Sequence, residues 1–192
     1  MEEKSGKKHI VMYTDADISA NLGLSGMMAA PILLHNKVVS VGDRYMRGAN
    51  YATHEGGFAL AKQDIVNLTL RVWIRGAILP PLKGIADTQC GLKAVDSKGL
   101  EKLFPLLKDR KFSFDMELLI KCAQNFEDPF GVVPIVFIES MAESNFYSEE
   151  SSFEVSAKSY FKMVARMCDM SDSIFPEHPK VDKALLKYFK EL

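Results

Sequence analysis

A charge excess, paired cysteines and long apolar runs are all missing from this chain of 192 residues. Lys and Arg total 24 against 25 Asp and Glu, so the formal net charge is -1. That balance lacks the basic surface on which general nucleic-acid binding depends, and no nucleic-acid partner is expected. Cysteine occurs three times, at Cys90, Cys122 and Cys168, widely spaced and odd in number. No CxxC or Cys/His pattern marks a zinc site, and no disulfide framework is implied. Reduced thiols in a cytoplasmic setting are the simpler expectation. The opening "MEEKSGKKHI" has no apolar stretch, which predicts no signal peptide. The longest apolar runs reach about half of the ~20 residues that a membrane span needs, so any membrane contact is expected to be peripheral.

What is present is ordinary globular composition. Hydrophobic residues make up 47% and charged residues 26%, compatible with one domain and a sizeable core. "HIVMYTD" (9–15) reads as a buried strand with Asp15 and Asp17 at its C-terminal end. Residues 19–35 read as a helix that Ser19 or Asn21 caps, despite Gly23, Gly26 and Pro31. "KVVSVGDRY" (37–45) reads as a second strand, and 46–57 as a polar loop. Apolar residues from Phe58 to Val72 recur at helical spacing and predict a long helix over 58–76. Downstream, the pattern predicts a strand at 90–96, helices at 97–103 and 115–125 with Asp115 as N-cap, and a strand at 131–140. Pro134 in that last run points to an edge position or a strand start. A helix over 153–170 carries a basic stripe, Lys158, Lys162 and Arg166, and a short helix ends the chain. Such a stripe is more often a solvated face than a lipid contact. Alternating strands and helices predict an α/β domain with a largely parallel sheet.

The most chemically pointed stretch is "YTDADIS" (13–19). Two carboxylates one residue apart, just past a strand end, can hold one hard divalent cation, Mg²⁺ or Mn²⁺. Ligands of open α/β sheets gather at that end of the strands. The plainer alternative is a polar strand end with two solvated aspartates.

Several motifs, taken in order, resemble the inverting family-two glycosyltransferases of the GT-A fold, in their dolichyl-phosphate mannose/glucose synthase-like branch. "YTDADIS" is similar to that family's D-x-D element, and "VVSVGDRY" (38–45) to its following strand and "GSRY". "DTQCGLKAV" (87–95) is the most specific match, to "DTQCGFK". "FSFDMELL" (112–119) is similar to "F-x-x-E-L", and "VVPIVFIES" (132–140) to the late "EVPI" strand. The resemblance implies a partial GT-A fold, with a mixed, mostly parallel sheet flanked by helices. It implies a truncated catalytic domain over 1–150 and a C-terminal helical extension over 151–192, packed on or beside it.

By the same resemblance, the chain moves a sugar from a nucleotide-diphospho-sugar donor to a polyprenyl (dolichyl-type) phosphate. Asp15 and Asp17 hold Mg²⁺ or Mn²⁺. Arg44 holds the acceptor phosphate, a geometry that suits a guanidinium, or else forms a surface salt bridge. Asp87, Thr88, Gln89, Gly91 and Lys93 line the sugar and acceptor pocket, or form a structural turn. Glu117 or Asp115 is the acidic catalytic group, or Glu117 is simply a first-turn acid favourable at a helix N-terminus. Asp43 stands where the family usually has serine, and no arginine matches the family's second one. Only eight residues precede "HIVMYTD", where relatives carry the βα units that bind the nucleoside. The expected complement is an N-terminal half in a longer polypeptide or a partner chain. The competing expectation is a non-catalytic remnant or interaction module.

Overall fold

A computed structural model describes residues 7–53, 82, 84–108, 114–139, 165 and 187. The predicted helix over 58–76 lies outside the described residues, as does all but Ala165 and Lys187 of the extension over 151–192.

The described residues form a mixed α/β structure. Its main sheet has four strands: β1 (Ile10–Tyr13), β2 (Val39–Asp43), β4 (Lys93–Asp96) and β5 (Phe130–Pro134), in the order β1-β4-β2-β5. A second sheet pairs β3 (Asn50–Thr53) with β6 (Val136–Glu139) in parallel. The expectation of a mostly parallel main sheet is corrected. β4 runs antiparallel to both β1 and β2, and only β2 and β5 pair in parallel. Antiparallel pairing of β4 on β1 lets "GLKAV" return directly across the end of the acidic strand.

Alternation along the strands sends side chains to both faces. On one face Val39, Val41 and Val95 pack with Leu103, Met116, Leu119 and Ile120 of α2 (Ser97–Leu103) and α3 (Phe114–Asn125). Ala165, a helical residue, is buried in this same cluster. On the other face Leu92, Ala94, Val133 and Ile135 pack with Met28 and Ile32 of α1 (Ser25–His35). Pro31, inside α1, seats its ring on Gly131, where a β-carbon would collide with it. Asn36 ends α1 in the left-handed conformation, and its N–H bonds the Pro31 carbonyl.

Several boundaries differ from expectation. The helix predicted over 19–35 is a 3-10 turn, Leu22–Leu24, followed by α1; Asn21 caps the turn through Gly23 N–H at 2.8 Å. The expected loop 46–57 contains β3, which its distant partner β6 draws into a ladder. The strand predicted over 131–140 divides at Ile135, and each half joins a different sheet. Pro134 closes β5, which among the described residues is an edge strand, where a missing N–H is tolerated. Asp115 is not the N-cap of α3: the helix already includes Phe114, so Asp115 lies in its first turn.

Candidate functional site

The loop after β1 carries the acid pair. Its path is set by two local bonds, Ile18 N–H to Asp15 O at 3.2 Å and Ser19 N–H to Asp17 Oδ1 at 3.0 Å, and a long-range one, Ile138 N–H to Ser19 O at 2.9 Å. The last of these, with an Ala20–Phe137 bridge, stitches the loop to β6. Ile18 has φ 54, the left-handed region, which costs a non-glycine residue about 1–2 kcal/mol. The turn thus keeps a strained β-branched residue directly beside two carboxylates.

The "DTQCGLK" segment folds back onto this loop. Gly91 faces Asp15 so closely that a β-carbon there would overlap the carboxylate. Lys93, the first residue of β4, is fully buried; its Nζ donates to Asp115 Oδ1 at 2.7 Å and to the Cys90 carbonyl. Tyr13 donates its hydroxyl to the same Asp115 oxygen at 2.8 Å. Asp115 Oδ2 has no hydrogen bond among the described residues, and its side chain is 19% exposed. One carboxylate oxygen is therefore pinned by two donors and the other is left open.

Arg44 and Asp87 form the second pair. Arg44 Nε meets Asp87 Oδ2 at 2.6 Å and Nη2 meets Oδ1 at 2.9 Å, a two-point grip; the Arg44 backbone N–H adds a third bond at 3.2 Å. The guanidinium also lies over the rings of Phe137 at 4.9 Å and Tyr45 at 5.3 Å. Nη1 has no hydrogen-bond partner among the described residues.

Electrostatics follow from this crowding. Partial desolvation and the Asp115 and Asp17 charges push the Asp15 carboxyl above its ordinary range, although Lys93 and Arg44 pull the other way. Burial opposes the Arg44 charge, yet the Asp87 carboxylate outweighs it and holds the guanidinium well above its ordinary value. Asp87 is held low in turn: burial raises it, and Arg44 more than compensates. Burial first, and then the Asp87 charge, pushes the Cys90 thiol up to about 12.

The structure thus gathers Asp15, Arg44, Asp87, Gly91, Lys93 and Asp115 from four separate stretches of chain. It also changes what several of them can touch. Asp87, expected to bond sugar hydroxyls, has both oxygens engaged by Arg44. Lys93, expected to contact substrate, is enclosed and held by Asp115. Thr88 is buried behind the turn. Gln89 is half-buried and its Oε1 has no hydrogen-bond partner among the described residues; Thr14 Oγ1, in the acidic loop, is likewise buried and without one among them. Glu117 points elsewhere. It is fully buried and receives the Lys108 N–H on both oxygens, at 3.1 and 3.0 Å. Two residues apart on a helix, Asp115 and Glu117 do not share a face.

Tyr13, Tyr45 and Phe137 belong to this site and were not singled out from the sequence. Tyr13 had a signal only within the strand expected over 9–15, where a period of two puts it on the side of Asp15; β1 itself ends at Tyr13. Phe137 had none, because its partner Arg44 is remote in sequence.

Two exposed loop carboxylates one residue apart, Asp15 repelled by its acidic neighbours, form a hard-oxygen donor set that suits Mg²⁺ or Mn²⁺. Among the described residues no group of three or more His, Cys, Asp or Glu is arranged to hold a metal unaided. Such an ion would complete its shell from water and phosphate oxygens, which is how Mg²⁺ is commonly bound. Among the described residues no helix is long and apolar enough to cross a membrane. Compared with known proteins, the chain matches no protein-family model, no curated protein and no solved structure.

Proposed function

We propose that this chain carries the acidic-pair portion of a glycosyltransferase of the family-two, GT-A type that its motifs resemble. It moves a sugar from a nucleotide-diphospho-sugar to a polyprenyl phosphate in a cytoplasmic setting. The observation that carries the reading is the convergence of the motif residues on Asp15, above all the seating of its carboxylate on Gly91.

Asp15 and Asp17 hold Mg²⁺ or Mn²⁺ against the donor diphosphate. When bound, the ion offsets charge that develops on the departing nucleoside diphosphate. The acceptor phosphate is already anionic, so it needs a cation to hold it more than a base to activate it. Arg44 supplies that cation through Nη1, the edge that Asp87 leaves open. Gln89 Oε1 and the open Asp115 Oδ2 are acceptors for sugar hydroxyls. Lys93 and Tyr13 fix Asp115 from behind. β1 pairs only with β4 among the described residues, so its other edge can receive strands of a donor-binding half.

Titration calorimetry with nucleotide-diphospho-sugars, with and without Mn²⁺, tests the reading. Binding that needs Mn²⁺ and vanishes in Asp15→Ala and Asp17→Ala supports it; label transfer to a polyprenyl phosphate completes it. No Mn²⁺-dependent binding, even with a donor-binding half added, leaves the second reading, a non-catalytic interaction module. The engagement of both Arg44 and Lys93 in internal ion pairs favours that alternative.

A further inference from the structure

Strand β6 meets both halves of the site. Along it Phe137 is buried between half-buried Val136 and exposed Ile138, as a strand's alternation requires. The backbone alternates too. Phe137 stands opposite Tyr51 in the β3 ladder, while Val136 and Ile138 turn their polar groups to the chain that leaves the acid pair. Val136 O accepts the Asn21 N–H at 3.1 Å, and Ile138 N–H donates to Ser19 O at 2.9 Å, on either side of the Ala20–Phe137 bridge. These main-chain bonds moor the acid loop to β6.

The Phe137 ring holds the other half. The Arg44 guanidinium carbon lies 4.9 Å from its centroid, and Tyr51 stacks on it at 6.0 Å with planes 13° apart. Asp87 grips one edge of Arg44 at two points, which fixes that edge but leaves the guanidinium able to tilt about it. A ring face against the guanidinium removes the tilt and so sets where Nη1 points. Tyr45 cannot do this alone, because it neighbours Arg44 in sequence and moves with it. Phe137 is anchored independently, by β3 on one side and by residues 19–21 on the other. The second route between the halves, from Gly91 to Asp87, runs through turns and bends instead of a strand.

We infer that Phe137 is a positioning residue. Its strand fixes the Asp15–Asp17 loop, its ring fixes Arg44, and together they set the spacing of carboxylates and guanidinium. The inference deepens the glycosyl-transfer reading and rests on it only for what the two halves hold, a cation on the loop and a phosphate on Arg44. Two ligands that must react need such a common frame, since small misplacements are costly.

Proton exchange of the full chain, followed by nitrogen-15 NMR, tests it. Phe137→Leu keeps the main-chain bridge but removes the ring face. It is expected to speed exchange of the Arg44 Nε–H several-fold while the Asn21 amide stays protected. Phe137→Tyr should restore the Arg44 value. Val133→Ala loosens the same core cluster and should leave Arg44 unchanged. Ile138→Pro removes the N–H that faces Ser19, and should expose the Asn21 amide while Arg44 stays protected. The inference is overturned by an Arg44 exchange rate that Phe137→Leu leaves unchanged, or that Val133→Ala raises as far. An Asn21 amide that stays protected in Ile138→Pro overturns it as well. Mn²⁺ added below one equivalent then reads the spacing, because its relaxation of a nearby proton falls steeply with distance. At equal Mn²⁺ occupancy, relaxation of the Arg44 Nε–H should change several-fold in both Phe137→Leu and Ile138→Pro, and unchanged relaxation overturns the inference. If Mn²⁺ relaxes nothing even in the unaltered chain, the transferase reading alone is lost, since metal-free exchange still decides the role of Phe137.

Discussion

The Asp15 carboxylate occupies the space that a β-carbon on residue 91 would take, so Gly91 and Asp15 are fitted to each other. Gly91→Ala must displace one of them. Misplacing a reacting or binding group by about 1 Å can lower function by about 100-fold. Gly91→Ala is therefore expected to abolish Mn²⁺-dependent donor binding while leaving the far-ultraviolet circular dichroism unchanged. Calorimetry on the variant checks this.

Arg44 and Asp87 are a buried, two-point ion pair, with side chains 11% and 2% exposed. Removing one partner strands the other, at about 3–5 kcal/mol. Asp87→Ala should lower stability by that amount in urea denaturation. Arg44→Lys should not preserve the pair, because an ammonium cannot bridge both carboxylate oxygens.

Lys93 and Asp115 invite a double-mutant cycle. Lys93→Met leaves Asp115 facing Tyr13 alone, and Asp115→Leu leaves a fully buried ammonium with only the Cys90 carbonyl. Each single change should destabilise by about 3 kcal/mol, and the double variant by clearly less than the sum. Additive losses would show that the two side chains do not depend on each other.

The raised Asp15 carboxyl sets a direction with pH. Its folded value exceeds its unfolded one, so the folded state binds the extra proton. Stability is then lost, not gained, as pH rises from the ordinary aspartate value of 3.8 through the raised one. Asp15→Asn should consequently stabilise the protein slightly at neutral pH, by less than about 1 kcal/mol because the group is exposed and screened. The same variant should lose Mn²⁺ binding. Thermal melts at neutral and acidic pH check the sign, since the gain must shrink on acidification.

Burial pushes the Cys90 and Cys122 thiols up to about 12, so both are fully protonated at neutral pH. Neither should react with iodoacetamide in the native protein, and both should react in urea. Peptide mass spectrometry after labelling distinguishes them from Cys168.

Much of the scaffold was readable wherever local pattern and burial agree. The run at 37–45 announces β2, and the helix expected over 97–103 is α2. The motif order placed Asp15, Arg44, Asp87 and Lys93 near one another, and they do meet. What they do on meeting was not readable. Tyr13 and Asp115 lie 102 positions apart, and Arg44 and Asp87 lie 43 apart. Their pairing engages Asp87 with Arg44 and Lys93 with Asp115 inside the fold, and no local pattern encodes that. β3 escaped notice for a related reason. "NYAT" has weak strand character and becomes a strand only because β6 lies alongside.

The stitching of the acidic loop to β6 has a consequence for how the protein is made. Asp15 and Asp17 leave the ribosome more than a hundred residues before Phe137 and Ile138, which hold their loop. The β2–β5 ladder has the same long closure, so these pairings form late and slowly. During synthesis the acid pair therefore waits as an unshaped loop. The loop acquires its described shape only when β6 arrives.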